Sequence, residues 1–269
     1  MALSPGEIER YARHIVLMDV GGPGQAKLKA AKVLVVGAGG LGAPVLLYLA
    51  AAGVGRIGII DNDTVSLSNL QRQIVHTTAN IGKAKTASAR QTLHGINPHV
   101  EVVEHTERLT AENAIAVIGQ YEIVADGSDN FPTRFLVSDA CYLARRTLVS
   151  AAVGQFDGQI STFKPHLVSP AGDPWPSYRC LHAEIPPRDL LPACEEAGIL
   201  GALPGIIGSM QAMEVLKEIL GIGDSLAGRL VMYDALSVRV YEAKLGWNPD
   251  NPLNGRNPTI TDVRNVSYR

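Results

Sequence analysis

Residues 33–42 read Val-Leu-Val-Val-Gly-Ala-Gly-Gly-Leu-Gly. The four apolar residues predict a buried strand, because strands covered on both faces carry continuous apolar runs. The glycines that follow have the spacing Gly-x-Gly-x-x-Gly, and a helix is predicted directly after them. Such a loop lets the backbone approach a phosphate group, and the helix N-terminus offers unpaired N–H groups to it. The stretch therefore predicts the first unit of a nucleotide-binding α/β fold.

The alternation of strand and helix continues to residue 150. Strands are predicted at 33–36, 57–60, 100–103, 123–125 and 147–149, and helices after the glycine loop and at 83–93, 111–118 and 135–145. This pattern is typical of a doubly wound, mostly parallel sheet of Rossmann-like α/β class. After residue 150 the pattern changes. Antiparallel strands are predicted at 159–163, 229–233 and 238–243, as a C-terminal extension, and a buried helix at 200–220.

Two other segments carry strong local signals. A short helix is predicted at 5–17, and the run Gly21-Gly22-Pro23-Gly24 predicts a break in the chain after it. Residues 165–192 contain seven prolines and predict a loop.

Composition limits the class of protein. A chain of 269 residues with 46% hydrophobic content is long enough for one large domain. Its net charge of −2 argues against nucleic acid as a partner, since a phosphate backbone selects a basic face. Three cysteines and no secretion signal at the N-terminus predict a cytoplasmic protein. No apolar run of about 18 residues is present, so no membrane association is expected.

Asp61 directly follows the predicted strand 57–60, nineteen positions after Gly42. A carboxylate at this spacing suits hydrogen bonding to the ribose hydroxyls of a bound nucleotide. The glycine loop and the acid by themselves do not separate NAD, FAD and ATP.

Polar residues after the acid favour a triphosphate. Arg72 and Lys85 can neutralise phosphate oxygens, the first with a forked set of donors and the second as a point charge. Asp129 follows the predicted strand 123–125, at the edge where open α/β sheets bind ligands. A carboxylate there can hold Mg²⁺ beside phosphates. Asp126 is the competing choice, but it lies nearer the strand, and Arg134 is expected to pair with Asp129 or its neighbour Asn130.

The motifs together resemble the MoeB/ThiF/HesA family, the bacterial relatives of ubiquitin-activating enzymes, with the MoeB branch most similar. The resemblance rests on residues 37–42, 61–63, 68–73, Lys85, 129–130, 205–214 and 232–235. It covers nearly the whole chain, from residues 11–14 to 257–261. It implies one adenylation domain over 1–269, with a nucleotide-binding half at 28–150, a carrier-binding and dimer half at 151–247 and a polar tail at 248–269.

The activity that the resemblance implies is adenylation. An enzyme of this kind uses ATP and Mg²⁺ to adenylate the C-terminal glycine of a ubiquitin-like sulfur-carrier protein that ends in Gly-Gly. Pyrophosphate is released, and the product serves molybdopterin or related sulfur-transfer biosynthesis. The family's homodimer is also implied, with Arg13 reaching into the site of the other subunit.

Residue roles follow by match to the family. Gly40 is placed at the phosphates, Asp61 at the ribose and Asp129 at Mg²⁺. The implied nucleotide-binding set is Gly40, Asp61, Ser68, Asn69, Leu70, Gln71, Arg72, Lys85, Asp129 and Asn130, and the implied catalytic set is Arg13, Arg72, Lys85, Asp129 and Cys194. Since the attacking carboxylate is already an anion, no general base is expected.

The chain departs from the family at a structural zinc site. Most close relatives hold zinc with two Cys-x-x-Cys pairs, whereas this chain has Ser177 and Cys180 at the first pair and Asn251 and Asn254 at the second. Serine and asparagine are poor zinc ligands beside cysteine and histidine. We therefore expect no zinc, and we expect the region 165–192 and the tail to be held by packing alone.

Cys194 aligns with a loop cysteine that some relatives use to form a thioester or acyl-disulfide with the carrier. A nucleophilic cysteine needs exposure and a lowered pKa, but the adjacent Glu195 and Glu196 act to raise the pKa of the thiol. Whether Cys194 takes part in chemistry stays open at this point.

Two alternatives have different consequences. An NAD-dependent oxidoreductase shares the beginning of the fold but has no use for phosphate-binding cations after the ribose acid. A non-catalytic protein that binds a ubiquitin-like partner is compatible with loss of the zinc ligands. The retained charges of Asp61, Arg72 and Asp129 argue against it, because a degenerate site usually loses charges that nothing pairs with.

Overall fold

The computed structural model describes residues 3–186 and 198–268. Its strands are β1 (Lys32–Val36), β2 (Arg56–Ile60), β3 (Glu101–His105), β4 (Ile123–Asp126), β5 (Thr147–Val153), β6 (Asp157–Phe163), β7 (Arg229–Asp234) and β8 (Arg239–Lys244). They form one sheet in the order β3-β2-β1-β4-β5-β6-β7-β8. The first five strands are parallel, and the pairs from β5 to β8 are antiparallel. The predicted fold class is confirmed.

Helices cover both faces of this sheet. They are α1 (Pro5–Arg10), α2 (Ala12–Ile15), α3 (Gly21–Ala30), α4 (Gly42–Ala52), α5 (Lys85–Ile96), α6 (Ala114–Ile118), α7 (Phe131–Leu143), α8 (Tyr178–Leu181) and α9 (Ala202–Leu220). Among the described helices, none has both the length and the apolar character that a bilayer crossing requires.

The apolar run of β1 supplies two separate cores. Val33 and Val35 pack in one cluster with side chains of α3, α4 and α9. Leu34 and Val36 pack in a second cluster with side chains of α6 and α7. Successive residues of a strand point to opposite faces, so a strand buried on both faces must be apolar throughout.

The strand order reverses beside β1. The chain proceeds from β1 to β2 and β3 on one side, and then returns to β4 on the other side. Ligands of open α/β sheets bind at such a reversal, outside the carboxyl ends of the strands. The topology therefore predicts a ligand site at the loops after Val36, Ile60 and Asp126.

One local prediction was wrong. Residues 21–24 do not break the chain; they form the first turn of α3. A Cβ atom on Gly24 would lie 2.9 Å from Cγ1 of Val20 and 3.1 Å from Cδ2 of Leu220, so a glycine lets α3 pack closely on the end of α9. Pro23 lies in the first turn of the helix, where its missing N–H has no intrahelical partner to lose. Tertiary packing thus outweighs the weak helix propensity of this run.

Helix α9 packs against β4, β5 and β6. The amide Nε2 of Gln211 donates to the carbonyl oxygens of Asp126, at 2.8 Å, and Val149, at 2.9 Å. A Cβ atom on Gly208 would lie 2.4 Å from Cγ of Pro44, so α9 approaches the beginning of α4 closely. The predicted buried helix is therefore packed on the sheet and on the helix that follows the glycine loop.

Candidate active site

A cleft of about 290 Å³ opens beyond the carboxyl ends of β1, β2 and β4. This volume is at the lower end of the range for small-molecule sites, roughly 300–1,000 Å³. Six of the predicted site residues line it, namely Gly40, Asp61, Arg72, Lys85, Asp129 and Asn130. Residues far apart in sequence thus meet where the topology predicts a ligand.

The glycine loop forms one wall of the cleft. Gly37 has φ +87°, in the left-handed region that favours glycine. A Cβ atom on Gly42 would lie 1.8 Å from the carbonyl oxygen of Gly37, so the turn closes only with glycine there. Helix α4 begins at Gly42, and Gly40 lines the cleft just before it. In the first turn of α4 the N–H of Ala43 already donates to the carbonyl oxygen of Gly39 at 2.9 Å and residue 44 is a proline, so the N–H of Gly42 is the donor placed for a phosphate there.

Asp61 joins the glycine loop to the end of β2. Its Oδ2 accepts a hydrogen bond of 2.8 Å from the backbone N–H of Ala38, and its Oδ1 accepts one of 2.8 Å from the N–H of Asp63. These bonds fix the orientation of the carboxylate while the residue stays half-buried at the cleft wall. A fixed acceptor in this position suits the ribose hydroxyls of a nucleotide.

Two cations line the cleft beyond Asp61. Lys85 is the first residue of α5, and its Nζ donates to Oδ2 of Asp63 at 2.8 Å. Arg72 donates from Nη1 to the carbonyl oxygen of Ser68 at 3.2 Å. We did not assign Asp63 a role from the sequence. The detectable signal was its position two residues after Asp61, which places both carboxylates on the same side of an extended segment.

The two acids after β4 have different environments. Asp129 lines the cleft, whereas Asp126 is fully buried and accepts from the N–H of Ser128 at 2.9 Å. Burial raises the pKa of Asp126. Asn130 donates from Nδ2 to Oδ1 of Asp129 at 3.1 Å, and its own Oδ1 caps α7 by accepting from the N–H of Thr133. Of the two acids, Asp129 is the one exposed to a ligand.

The predicted pairing of Arg134 with Asp129 or Asn130 was wrong. The guanidinium is buried and donates to the carbonyl oxygen of Ser128, at 2.9 Å from Nη2 and 3.3 Å from Nε. Arg134 therefore fixes the backbone of the turn that carries Asp129. The spacing of these residues in the sequence did not show that the guanidinium of Arg134 would bond to the carbonyl oxygen of Ser128 and not to the side chain of Asp129 or Asn130.

Four predicted nucleotide-binding residues, Ser68, Asn69, Leu70 and Gln71, lie beside the cleft and are not part of its lining. Asn69 is buried, and its Oδ1 accepts from the N–H of Ser66 at 3.1 Å. Its carbonyl oxygen accepts from the N–H of Arg72 at 3.1 Å. The segment thus positions Arg72 in this structure, and direct contact of these four residues with a nucleotide stays a prediction.

The remaining two predicted catalytic residues are not in the cleft. Arg13 is exposed on α2, outside the cleft of its own chain. Cys194 lies outside the described residues. The role of each stays a prediction.

His76 contacts the backbone of the glycine loop, and we did not identify this residue from the sequence. Its Nε2 lies 2.9 Å from the carbonyl oxygen of Ala38, so this nitrogen carries the proton. Its Nδ1 lies 2.9 Å from Oγ of Ser88, which also accepts from Nδ2 of Asn80 at 3.0 Å. Burial and the nearby charge of Lys85 lower the pKa of the imidazole. The neutral side chain of His76 therefore links the glycine loop to α5 by hydrogen bonds.

Gln73 is, after Asp63 and His76, a third residue without a role assigned from the sequence. It is buried, lines the cleft, and its Oε1 has no hydrogen-bond partner among the described residues. Its position one residue after Arg72 was the available signal.

Two groups of side chains, one in the cleft and one away from it, differ in the metal that their donor atoms suit. The oxygen donors of Asp129 suit Mg²⁺, which is usually held by one or two carboxylates together with phosphates. Away from the cleft, Ser177, Cys180, Asn251 and Asn254 come together, and they offer a single sulfur. In the described part of the chain no three His, Cys, Asp or Glu side chains form a metal-binding group. The four side chains do not fit zinc.

Comparison with known sequences gives extensive matches. The model described as "ThiF family" matches residues 11–253. The "Sulfur carrier protein adenylyltransferase" of Thermus thermophilus is 48% identical over 96% of this chain and 94% of its own length. The "Probable adenylyltransferase/sulfurtransferase MoeZ" of Mycobacterium tuberculosis is 46% identical over 93% of this chain. "Adenylyltransferase and sulfurtransferase MOCS3" of Bos taurus is 46% identical over 98% of it. The chain spans only 63% and 56% of these last two proteins.

Solved structures share the fold at lower identity. The crystal structure of Escherichia coli MccB with ATP superposes with a TM-score of 0.76 at 21% identity, over 91% of this chain and 74% of that one. The structure of PaaA gives a TM-score of 0.74 at 22% identity, over 91% and 75%. These likenesses establish the architecture of the sheet and its helices.

Proposed function

Since the chain belongs to the ThiF family, we propose that it adenylates the C-terminal glycine of a ubiquitin-like sulfur-carrier protein with ATP. This membership confirms the resemblance inferred from the sequence. One observation carries the proposal: a single cleft holds a glycine loop, a carboxylate placed for ribose, two cations and a further carboxylate. The curated relatives that match most of the chain are named as adenylyltransferases, one of them for a sulfur carrier protein.

The chemistry is a displacement at phosphorus. An oxygen of the carrier's terminal carboxylate forms a bond to the α-phosphorus of ATP, and the bond from that phosphorus to the bridging oxygen of pyrophosphate breaks. The products are the carrier acyl-adenylate and pyrophosphate. Because the nucleophile is an anion, catalysis consists of positioning it and neutralising charge on the phosphates.

Each cleft residue has a role in this scheme. Asp61 holds the ribose, and Gly40 with the beginning of α4 receives the phosphates. Arg72 and Lys85 neutralise phosphate oxygens, supported by the segment that contains Ser68, Asn69, Leu70 and Gln71. Asp129, oriented by Asn130, would hold Mg²⁺, which when bound shields the charge of the triphosphate.

The cations also weigh against a dehydrogenase. Arg72 and Lys85 line the same cleft as Asp61, and a dinucleotide has no triphosphate for them to neutralise. The charged residues around the cleft likewise weigh against a non-catalytic binding role, because they include both the ribose carboxylate and the proposed Mg²⁺ ligand.

We extend the proposal to the assembly and its setting. The chain acts as a homodimer in which Arg13 enters the cleft of the partner subunit. Arg13 is exposed, and the exposed apolar residues Val16, Leu17 and Met18 follow it, which suits an interface. Cys141 and Cys180 are free thiols, which supports a reducing, cytoplasmic location. Nucleic acid and membrane have no part in this scheme.

The test measures pyrophosphate released from ATP and Mg²⁺ with three additions: no carrier, a ubiquitin-like carrier ending in Gly-Gly, and the same carrier without its last two residues. We expect release only with the intact carrier. Release that does not depend on the Gly-Gly tail contradicts carboxylate adenylation, and ATP binding without any release supports a binding role instead.

A further inference from the structure

Four side chains join the segment around α8 to the tail that follows β8. We call Ser177, Cys180, Asn251 and Asn254 the clip. Three of its members are at most 4% exposed: Ser177 at 0%, Asn251 at 1% and Asn254 at 4%. A buried polar group must find hydrogen-bond partners or lose free energy, so the contacts inside the clip determine whether it stabilises the fold.

Asn251 occupies the centre of the clip. Its Nδ2 donates to Oγ of Ser177 at 2.8 Å and to Sγ of Cys180 at 3.0 Å. Its Oδ1 accepts from the N–H groups of Leu253 at 2.8 Å and Asn254 at 3.4 Å. These backbone donors fix which end of the amide is the nitrogen, since only an oxygen can accept from them.

Further bonds extend from the centre. The N–H of Asn248 donates to Sγ of Cys180 at 3.4 Å. Nδ2 of Asn254 donates to the carbonyl oxygen of Trp175 at 3.0 Å, and Nε1 of Trp247 donates to the carbonyl oxygen of Asn254 at 3.0 Å. The expectation that packing alone holds the two segments was wrong, because hydrogen bonds connect them at several points.

The direction of these bonds excludes a metal. The amide nitrogen of Asn251 turns its hydrogens toward Ser177 and Cys180, so positive hydrogen atoms fill the space that a cation would need. Zinc requires lone pairs directed at one point, and most readily those of thiolate or imidazole. The clip supplies one sulfur, and that sulfur already accepts hydrogen bonds.

One distance within the clip is nevertheless close to that between two ligands of a zinc ion. Oγ of Ser177 lies 3.9 Å from Sγ of Cys180. Two thiolates on a tetrahedral zinc ion, with Zn–S bonds of about 2.3 Å, are separated by about 3.8 Å. The Ser177–Cys180 pair therefore has the separation of two zinc ligands, although hydrogen bonds occupy this place in the clip.

A second set of bonds adjoins the clip. Arg179, between two clip residues in sequence, donates to both carboxylate oxygens of Asp139 on α7 at 2.8 and 2.7 Å. The phenol of Tyr268, near the end of the tail, donates to the same carboxylate at 2.7 Å. Helix α7 begins directly after Asn130, so these bonds connect the tail to the helix that carries the edge of the cleft.

We propose that the clip is a metal-independent fastening that holds the tail on the segment around α8, beside the bonds of Arg179 and Tyr268 to α7, and that the clip would bind zinc if the three missing thiolates were supplied. The protein therefore folds and keeps its tail docked without zinc. This inference concerns the chain's own structure and does not rest on the proposed adenylation.

The first test uses the wild-type chain. Metal analysis of protein purified without chelator should find well under one zinc per chain, and EDTA should leave the melting temperature unchanged. Near-stoichiometric zinc, or a melting temperature that falls with EDTA, would falsify the proposal. Neither readout depends on enzymatic activity.

The second test converts the clip. The variant S177C/N251C/N254C should bind about one zinc per chain and should melt at a lower temperature once EDTA removes the metal. The variant S177C is the matched control, since it supplies two thiols and should retain far less zinc. Failure of the folded triple variant to bind zinc would overturn the argument from spacing.

The third test removes the central amide. Asn251→Ala should lower the melting temperature by roughly 4 °C or more, because a buried amide with several bonds is lost. It should also speed proteolytic removal of the tail. Gln120→Ala, which removes a hydrogen-bonded but exposed amide, is the control. An unchanged melting temperature in Asn251→Ala would show that the hydrogen bonds do not hold the tail. If the triple variant does not fold, the Asn251→Ala result and the zinc content of the wild type still decide the proposal.

Discussion

Lys85 and Asp63 form an ion pair of 2.8 Å at the wall of the cleft. The lysine side chain is 8% exposed and the aspartate side chain 60%. The backbone joins them as well, since the N–H of Lys85 donates to the carbonyl oxygen of Asp63 at 3.0 Å. The N–H of Asp63 in turn donates to Asp61, so one residue fixes both the ribose carboxylate and the phosphate-binding lysine.

Asp63→Ala should therefore weaken ATP binding without unfolding the protein. An ion pair with one exposed partner contributes about 0–1 kcal/mol to stability. Loss of the bond that orients Lys85 should raise the KM for ATP about ten-fold, which corresponds to about 1.4 kcal/mol. Asp63→Asn keeps an oxygen acceptor and should have a smaller effect. Steady-state pyrophosphate release measures both, and tighter ATP binding by Asp63→Ala would mean that the carboxylate repels the phosphates instead.

Asp129→Ala should lower adenylate formation by on the order of 100-fold or more while the melting temperature stays near that of the wild type. The reason is that Asp129 lines the cleft and is the proposed Mg²⁺ ligand. Asp126→Asn provides the comparison. Because Asp126 is fully buried, its substitution should lower the stability of the fold before it affects catalysis. The measurement is pyrophosphate release across a Mg²⁺ titration. A fully active Asp129→Ala variant would remove the Mg²⁺ assignment.

Arg13→Ala and Arg72→Ala should each be nearly inactive as homodimers and partly active when mixed. In a mixed dimer, one cleft combines an intact Arg72 with an intact Arg13 from the other subunit. Statistical exchange of subunits then produces about half of the dimers with one working cleft. Activity after mixing, compared with each variant alone at equal concentration, is the readout. If mixing restores nothing although subunits exchange, Arg13 acts within its own chain or not at all.

The sequence predicted what depends on local apolar pattern and missed what depends on contacts between distant residues. Continuous apolar runs identified the central strands, because burial on both faces requires them. The run 21–24 was misread, since the approach of Leu220 that favours a helix there is not visible locally. His76 was missed because its partners, Ala38 and Ser88, lie 38 and 12 positions away.

That same histidine makes stability depend on pH. Burial lowers the pKa of His76 from its ordinary value of 6.5, so the folded protein holds the imidazole neutral at pH values where the unfolded chain takes up a proton. The unfolded state then binds more protons at this group, and the contribution of His76 to the free energy of unfolding falls as the pH drops below about 6.5. Burial lowers the pKa of His105, His166 and His182 as well, which adds to the effect.

His76→Gln should be less stable than the wild type at pH 7.5, because the bonds to Ala38 and Ser88 are not both kept. The difference should shrink between pH 6.5 and pH 5, since the variant has one fewer histidine to protonate on unfolding. Denaturant unfolding at several pH values measures this change in slope. His94→Gln, which removes an exposed imidazole on α5, is the control. A stability difference that stays constant across this pH range would show that His76 is protonated equally in the folded and unfolded states. The contact of His76 with the glycine loop would then not require a neutral imidazole.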